Sequence, residues 1–244
     1  MKKLTLLLIL CAFCVTLTAC GGSEEAPIPM PEIITGQTEF RILWAGNSHT
    51  FTGDIPRQVT EMAAAHGITV THDTILQGGA DLRSLRSDVV SQVQSQRYDY
   101  VILQDRGGRS GTNARAFSND VRRLSEAIHE TGAIPVLFNP SFNYDNWPDM
   151  TRQNQITTAH QDAAQRGGTL FVDVPMAWLY ALEQHPNVAL FQPTGIHTNN
   201  RGAFLTSAVF ASTLFGIQVT EGNTIYNSDY VEKLGLAAWE FANR

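Results

Sequence analysis

Cysteine is nearly absent from this sequence, and its absence excludes several kinds of site. All three cysteines, Cys11, Cys14 and Cys20, lie within the first 20 residues of the 244-residue chain. The rest of the chain therefore has no disulfide, no thiolate nucleophile and no cysteine-based metal site. His, Asp and Glu residues do not recur at ligand spacing either, so we expect no metal and no cofactor.

Lysine is equally scarce, and the chain has no run of basic residues. The lysines are Lys2, Lys3 and Lys233, and 17 basic residues stand against 23 acidic ones. Without residues 1–19 the balance becomes 15 basic against 23 acidic residues, a net charge of −8. Such a chain is not expected to have a nucleic-acid partner or to dock electrostatically on anionic lipid.

A long apolar run stands at the N-terminus. Lys2 and Lys3 precede an apolar stretch over residues 4–18, which is too short to be trusted as a membrane span. It ends in Leu17-Thr18-Ala19-Cys20, which resembles a bacterial lipoprotein signal; the alternative is an ordinary secretory signal that contains a cysteine. The resemblance implies cleavage before Cys20, lipidation of that cysteine and anchoring of an exported protein in the cell envelope. No aspartate follows Cys20, which indicates the outer membrane if the organism is Gram-negative.

Residues 21–38 are predicted to be a tether. Gly, Pro, Glu and Ser dominate this stretch, with Pro27, Pro29 and Pro31 in alternation, a composition typical of flexible linkers. The alternative is an ordered arm around Ile33-Ile34. We therefore divide the chain into a signal peptide (1–19), a lipidated cysteine with a flexible tether (20–38) and one folded domain (39–244).

Strand and helix patterns alternate through the folded part. Predicted strands cover residues 40–45, 69–75, 100–103, 134–138 and 169–172, and predicted helices cover residues 55–66, 82–96, 114–131, 150–165, 176–183, 201–215 and 230–242. This alternation predicts an α/β fold in which a mostly parallel sheet is covered by helices on both faces.

The first predicted strand ends abruptly at a serine. Residues 41–45 form a short apolar run, and Gly46-Asn47-Ser48-His49 follows it. Gly46 permits a tight turn, so we expect Ser48 just past the carboxyl end of the strand, where open α/β sheets bind their ligands. The alternative is an ordinary turn, because Gly, Asn and Ser are common turn residues.

Two further strand ends carry polar groups. Gly78-Gly79 follows the second strand and can point a backbone N–H at a ligand, although an ordinary turn with Asp81 as helix N-cap explains the pattern equally well. Gln104 ends the third strand with an amide that can donate two hydrogen bonds. Asp105 and Arg106 come next and are expected to form a solvated ion pair.

His197 is the histidine best placed to act together with Ser48. It precedes the apolar helix predicted over residues 201–215, and of seven histidines only His49 and His197 fall on loops beside other candidate residues. A serine nucleophile needs a nearby base, which is usually histidine. Strand-end N–H groups and an amide can hold the oxyanion of a tetrahedral intermediate.

These positions resemble the sequence blocks of the SGNH (GDSL-like) hydrolases over about residues 40–217. Gly46-Asn47-Ser48 matches the first block, Gly79 the glycine of the second, and His197 the histidine of the last. The resemblance implies that Ser48 is the nucleophile and an oxyanion donor, that Gly79 (or, failing it, Gly78) is the second donor, and that His197 is the base. It also implies a flavodoxin-like three-layer α/β/α sandwich with a central, mostly parallel five-stranded sheet.

The sequence departs from the family pattern in two places. The third block, normally Gly-x-Asn-Asp, is missing, and Gln104 is the best substitute for its asparagine as an oxyanion donor. Thr194 stands where the family has aspartate, three residues before the histidine. We therefore expect a Ser–His dyad, unless another acid (Asp105 or Asp173) or a backbone carbonyl orients the histidine.

The loop after the fourth strand carries aromatic residues beside the predicted site. Phe142, Tyr144 and Trp147 can stack on a sugar ring or line an acyl pocket, but they can equally pack the loop onto the domain. The other possible lining residues are Asn47, His49, Asp105 and Thr194.

Taken together, the residues and the resemblance predict a serine ester hydrolase of the cell envelope whose partner is a small-molecule or glycan ester. The expected reaction is removal of O-acetyl or other short acyl groups from a carbohydrate. The alternatives are a lipase or short-chain acyl esterase, and a non-catalytic binding module on the same fold. The missing aspartate and the missing Asn-Asp motif are the reason for considering the binding module.

Overall fold

Five buried strands form the centre of the fold. The computed structural model describes residues 26–140, 150–193, 195, 197–220 and 228–244. The apolar runs predicted as strands become strands because residues covered on both faces of a sheet must be apolar, and the predicted bounds agree with the observed ones to within one residue. The strands are β1 (Glu39–Gly46), β2 (Thr69–Leu76), β3 (Tyr100–Gln104), β4 (Ile134–Asn139) and β5 (Leu170–Asp173).

All the strand pairs are parallel, and the strand order is β2-β1-β3-β4-β5. Leu43, for example, is in register with Asp73 of β2 and Val101 of β3. This is the flavodoxin-like order, in which the direction of winding reverses between β1 and β3. The predicted fold class, a three-layer α/β/α sandwich around a five-stranded sheet, is confirmed.

The helices agree with the predicted ones except for two single turns. A four-residue helix shows no apolar period, so α1 and α4 were not predicted. None of the helices among the described residues is both long enough and apolar enough to cross a membrane. The helices are α1 (Ser48–Phe51), α2 (Ile55–Ala64), α3 (Leu82–Ser95), α4 (Arg109–Thr112), α5 (Ala114–His129), α6 (Met150–Gly167), α7 (Val174–Gln184), α8 (Asn200–Phe215) and α9 (Ser228–Ala242).

Alternate residues of the strands pack against two different helical layers. In β1, Ile42 and Trp44 belong to the core formed with α2, α7, α8 and α9. Leu43 and Ala45 belong to the core formed with α3, α5 and α6. Successive side chains of a strand point to opposite faces, so the sheet is covered on both sides and its carboxyl edge remains as the place for a site.

The described part of the predicted tether, residues 26–38, lies against the domain as an arm. The Ile28 N–H donates to the carbonyl oxygen of Arg166 at 3.3 Å, and the Ile34 N–H donates to the Tyr100 hydroxyl at 2.9 Å. Ile34 also packs on the core. The prediction of a flexible tether is therefore wrong for this part, because its apolar residues and backbone N–H groups find partners where β3 and β5 begin.

A buried histidine in the second helical layer makes the fold sensitive to acid. His160 is 2% exposed, packs against Phe117 and Phe171, and leaves Nε2 without a hydrogen bond to any described residue. Burial lowers the pKa of its imidazole to about 4, against about 6.5 in an unfolded chain. As the pH falls from about 6.5 towards 4, the unfolded state binds a proton that the folded state does not, so stability decreases.

We therefore expect the His160 imidazole to lower the free energy of unfolding by roughly 2 kcal/mol when the pH is reduced from about 7.5 to about 5. The slope is about 1.4 kcal/mol per pH unit below about pH 6.5. In His160→Phe this contribution disappears, and the free energy of unfolding in urea should depend less steeply on pH, whatever its absolute value. His185→Gln removes a histidine outside the core and serves as the control. An equally steep pH dependence in His160→Phe and in wild type would contradict the assignment.

Candidate active site

The turn after β1 presents Ser48 at the carboxyl edge of the sheet. Ser48 is the first residue of α1 and partly exposed. Gly46 has no room for a side chain, because a Cβ there would lie 2.7 Å from Oε1 of Gln104 and 2.9 Å from Oγ1 of Thr50. The Ser48 hydroxyl forms no hydrogen bond with any described residue, and Ser48 lines a cavity of about 260 Å³.

Asn47 joins three strand ends behind this serine. Its side chain accepts a hydrogen bond from the backbone N–H of His49 at 3.2 Å. Its Nδ2 donates to the carbonyl oxygens of Ala80 at 2.8 Å and Asp105 at 3.3 Å. Asn47 was predicted to line the site; it does line the cavity, and its bonds fix the turn relative to the chain that leaves β2 and β3.

Gln104 lies beneath the Ser48 turn and does not face the cavity. It is fully buried, and its Oε1 accepts hydrogen bonds from the Asn47 N–H at 2.9 Å and from the Thr50 hydroxyl at 3.0 Å. Its Nε2 donates to the carbonyl oxygen of Asp105. The prediction that Gln104 is an oxyanion donor is wrong. Its buried amide already forms hydrogen bonds with polar groups of the turn and of the chain after β3, so it does not point its N–H groups into the cavity.

Gly79 contributes backbone to the wall of the same cavity. It lines the cavity with a φ of 70°, in the left-handed region that favours glycine. Within the described chain, neither the Gly79 N–H nor the Ser48 N–H donates to another residue. Gly78 does not line the cavity. Asp81 acts as the N-cap of α3, accepting from the Ser84 N–H at 2.9 Å, so the N-cap interpretation of this turn is confirmed, and the role of Gly79 as an oxyanion donor stays a prediction.

Asp105 does not line the cavity, and its ion-pair partner is not Arg106. Asp105 is 1% exposed, and its carboxylate accepts from the Leu82 N–H at 2.8 Å and from Arg109 at 3.0 Å. Arg109 also donates to Asp120. Burial raises the pKa of the Asp105 carboxyl, while the Leu82 N–H and Arg109 oppose that shift. The predictions that Asp105 forms a solvated ion pair with Arg106 and that it lines the site are therefore both wrong. The reason is that Arg109, on the turn of α4, covers the carboxylate and pairs with it.

The loop that carries His197 is fixed against the end of α1. Thr198 donates from Oγ1 to the carbonyl oxygen of Thr52 at 3.5 Å. Gly53 packs so closely on α8 that a Cβ there would lie 2.4 Å from the Cβ of Ala203. These contacts bring His197 to the same edge of the sheet as Ser48, although the two residues are far apart in the sequence.

Two histidine rings lie next to each other at this edge. The ring centroids of His49 and His197 are 5.8 Å apart. His49 lines the cavity, and its Nδ1 is buried without a hydrogen bond to any described residue. Burial and then the neighbouring His197 lower the pKa of His49 to about 4, so His49 is neutral at neutral pH.

No described acid is hydrogen-bonded to His197. Asp173 accepts a hydrogen bond from Asn139 at 2.8 Å, and burial raises its pKa to about 6. Asp105 is engaged by Arg109. Several predicted lining residues lie outside the described residues, namely Thr194, Phe142, Tyr144 and Trp147.

The loop after β3 and the first turns of α6 complete the cavity. These residues belong to no sequence motif and were not predicted as site residues. The only signal in the sequence is the spacing of residues 152 and 156, which places them on one face of a helix. The loop after β3 contributes Arg106, Gly107 and Gly108, and α6 contributes Arg152, Gln153 and Ile156. Pro140, which follows β4, also lines the cavity.

Groups of the kinds used in acyl transfer lie along this edge of the sheet. Ser48 and Gly79 line one cavity, and neither the Ser48 hydroxyl nor the backbone N–H of either residue bonds to a described residue. The imidazole of His197 stands on the adjoining loop. A hydroxyl can attack a carbonyl carbon, and two N–H groups can stabilise the oxyanion that results. Among the described residues, no three His, Cys, Asp or Glu side chains are grouped to hold a metal ion.

No family model and no curated protein matches the chain, but solved structures do. The chain is similar to a protein from Slackia heliotrinireducens assigned to the SGNH hydrolases, with 24% identity over 72% of this chain and 99% of that one and a TM-score of 0.59. It is also similar to a DUF4886 family protein from Bacteroides uniformis, with 16% identity, coverage of 83% and 94%, and a TM-score of 0.68. It is also similar to an acetylxylan esterase from Geobacillus stearothermophilus, with 16% identity over 72% of this chain and 94% of that one and a TM-score of 0.60. These likenesses establish that the chain has the fold of the SGNH hydrolases.

Proposed function

We propose that the protein is a serine ester hydrolase that removes O-acetyl or other short acyl groups from a carbohydrate. The observation that carries the proposal is the position of Ser48, whose hydroxyl has no hydrogen bond to a described residue and shares a cavity with the Gly79 backbone. His197 stands on a loop fixed to the same turn. The acetylxylan esterase that shares the fold supports the choice of a carbohydrate ester.

In the proposed reaction the Ser48 oxygen forms a bond to the ester carbonyl carbon, and its proton passes to the imidazole of His197. The backbone N–H groups of Ser48 and Gly79 hold the oxyanion of the tetrahedral intermediate. The intermediate then releases the sugar hydroxyl, which takes the proton from His197, and leaves an acyl-serine. Water, deprotonated by His197, attacks the acyl group and forms a second tetrahedral intermediate. This intermediate releases the Ser48 oxygen, which takes the proton back from His197, and the carboxylic acid product leaves.

The size and position of the cavity favour a short acyl group over a long lipid chain. Its volume of about 260 Å³ lies below the range of roughly 300–1,000 Å³ common for ligand pockets. The arm over residues 26–38 meets the domain where β3 and β5 begin, at the edge opposite the cavity. If the chain is anchored through residues that precede this arm, the membrane lies on the side of the domain opposite the cavity. That position favours substrates outside the anchoring membrane over lipids within it.

A fluorophosphonate probe tests the proposal directly, because it bonds covalently to activated serine hydroxyls. We expect the purified protein to be labelled at Ser48, as mapped by peptide mass spectrometry, and to hydrolyse p-nitrophenyl acetate much faster than the palmitate ester. Faster hydrolysis of the palmitate ester would favour a lipase. Absence of both labelling and hydrolysis would favour a non-catalytic binding module.

We also propose that the protein is an exported lipoprotein of the cell envelope, anchored through a lipid on Cys20. The support is the sequence Leu17-Thr18-Ala19-Cys20 after an apolar run. Cys20→Ser should move the protein from the membrane fraction into a soluble exported form or an uncleaved precursor, while Cys14→Ser leaves it in the membrane fraction. Membrane association of Cys20→Ser that survives high salt and carbonate would refute the anchor.

A further inference from the structure

The cavity beside Ser48 is positively charged, although the chain as a whole has a net charge of −6. Arg106 and Arg152 both line the cavity, and no carboxylate of a described residue does so. His49, the other titratable side chain on the wall, is neutral at neutral pH because its pKa is about 4. Two positive charges therefore face the place where a substrate would bind, and no carboxylate of a described residue shares the cavity wall with them.

Neither arginine has an ion-pair partner among the described residues. Arg109, by contrast, three residues after Arg106, pairs with two buried carboxylates. Asp81 interacts with Arg106 only at longer range, and its carboxylate is occupied by the cap of α3 and by Arg109, whose Nε is 3.8 Å away. The cations of the cavity are thus left for an external anion, whereas the neighbouring arginine serves the fold.

The glycines of the loop after β3 determine how the cavity wall is packed. A Cβ on Gly108 would lie 3.1 Å from Nη2 of Arg152, and a Cβ on Gly107 would lie 3.0 Å from Nε2 of His49. The Arg152 guanidinium therefore rests against the backbone of this loop, close to the residue that follows Ser48. This contact places the positive charge of α6 on the same wall as the Ser48 turn.

We propose that the ester substrate is an acidic glycan, and that Arg106 and Arg152 bind its carboxylate or phosphate group while Ser48 attacks a neighbouring acyl ester. This inference rests on the proposed esterase function and specifies its substrate class. The planar guanidinium matches the geometry of carboxylate and phosphate oxygens and forms strong charge-assisted hydrogen bonds with them. Both arginines are exposed, so screening by water limits the expected effect of each.

A pair of substrates that differ only in charge tests the inference. The full chain, purified in detergent, is assayed for acetate release from methyl tri-O-acetyl-glucuronic acid and from the methyl ester of the same compound. We expect kcat/KM to be about tenfold or more higher for the acid, a preference that added salt reduces. Tetra-O-acetyl-glucose 6-phosphate, compared with penta-O-acetyl-glucose, shows whether phosphate is preferred to carboxylate.

Arginine variants test whether Arg106 and Arg152 are the side chains that bind the acidic group of the substrate. Arg106→Gln and Arg152→Gln should each lower the ratio of kcat/KM for the acid to that for the ester by roughly fivefold to tenfold. Arg123→Gln removes an exposed arginine of α5 that does not line the cavity, and it should leave the ratio unchanged. All three positions are exposed, so none of the variants is expected to impair folding.

The outcomes separate this inference from the function on which it rests. A ratio near one in the wild type, or a ratio that the Arg106 and Arg152 variants leave unchanged, would overturn the acidic-glycan inference while the esterase function stands. Labelling of Ser48 without hydrolysis of any of the sugar esters would also overturn it. Absence of labelling and of all hydrolysis would overturn the esterase function and the inference together.

Discussion

Replacing Ser48 by alanine is expected to lower kcat/KM for p-nitrophenyl acetate by at least about 10⁴-fold, the scale seen when a serine nucleophile is removed. The methyl group of alanine cannot form the acyl intermediate. The Thr50 hydroxyl, one helical position beyond His49, cannot replace Ser48, because it is buried and donates to Gln104. Labelling by a fluorophosphonate probe should disappear in the same variant.

The control for this experiment is Ser87→Ala, which removes an exposed serine of α3. Ser48 is partly exposed and its hydroxyl has no hydrogen bond to a described residue, so its removal should leave the circular dichroism spectrum and the thermal midpoint unchanged. Loss of activity in Ser48→Ala with an intact fold would then report chemistry and not stability. Wild-type activity in Ser48→Ala would end the esterase proposal.

Replacing His197 by alanine is expected to lower kcat by about a thousandfold, because the serine loses the base that takes its proton. The effect should fall on kcat more than on KM, since the base acts in the transition state. Thr198 and the close packing of Gly53 on Ala203 hold this loop, and neither contact involves the imidazole. The variant should therefore fold normally.

The neighbouring histidine provides a test of which imidazole is the base. Burial and the nearby His197 hold the pKa of His49 at about 4, so a rate that depended on His49 would fall only near pH 4. We expect the acid limb of the pH–rate profile to persist in His49→Gln and to be lost in His197→Ala. Loss of that limb in His49→Gln, with a normal profile in His197→Ala, would make His49 the base.

Sequence patterns were sufficient for the sheet and for the strand-end positions of Ser48 and Gly79. Strands of a covered parallel sheet are near-continuous apolar runs, so they stand out in the sequence. Helix ends are marked by glycines, and the structure gives Gly67, Gly132 and Gly168 the positive φ that such positions require. Parallel strands all end at the same edge. Ser48 and Gly79, each of which follows a strand, were therefore expected together and are found on one cavity.

The tertiary structure decided which polar groups face the cavity and which are used by the fold. Gln104 ends β3 and Asp105 follows it, and both are buried, while Arg106, the next residue, lines the cavity with Arg152. The difference arises because a buried polar group must be hydrogen-bonded, and the partners come from distant segments: the Asn47 N–H binds Gln104, and the Leu82 N–H binds Asp105. Local sequence determines where a strand ends, whereas the direction of each side chain depends on donors and acceptors that only the folded chain brings near.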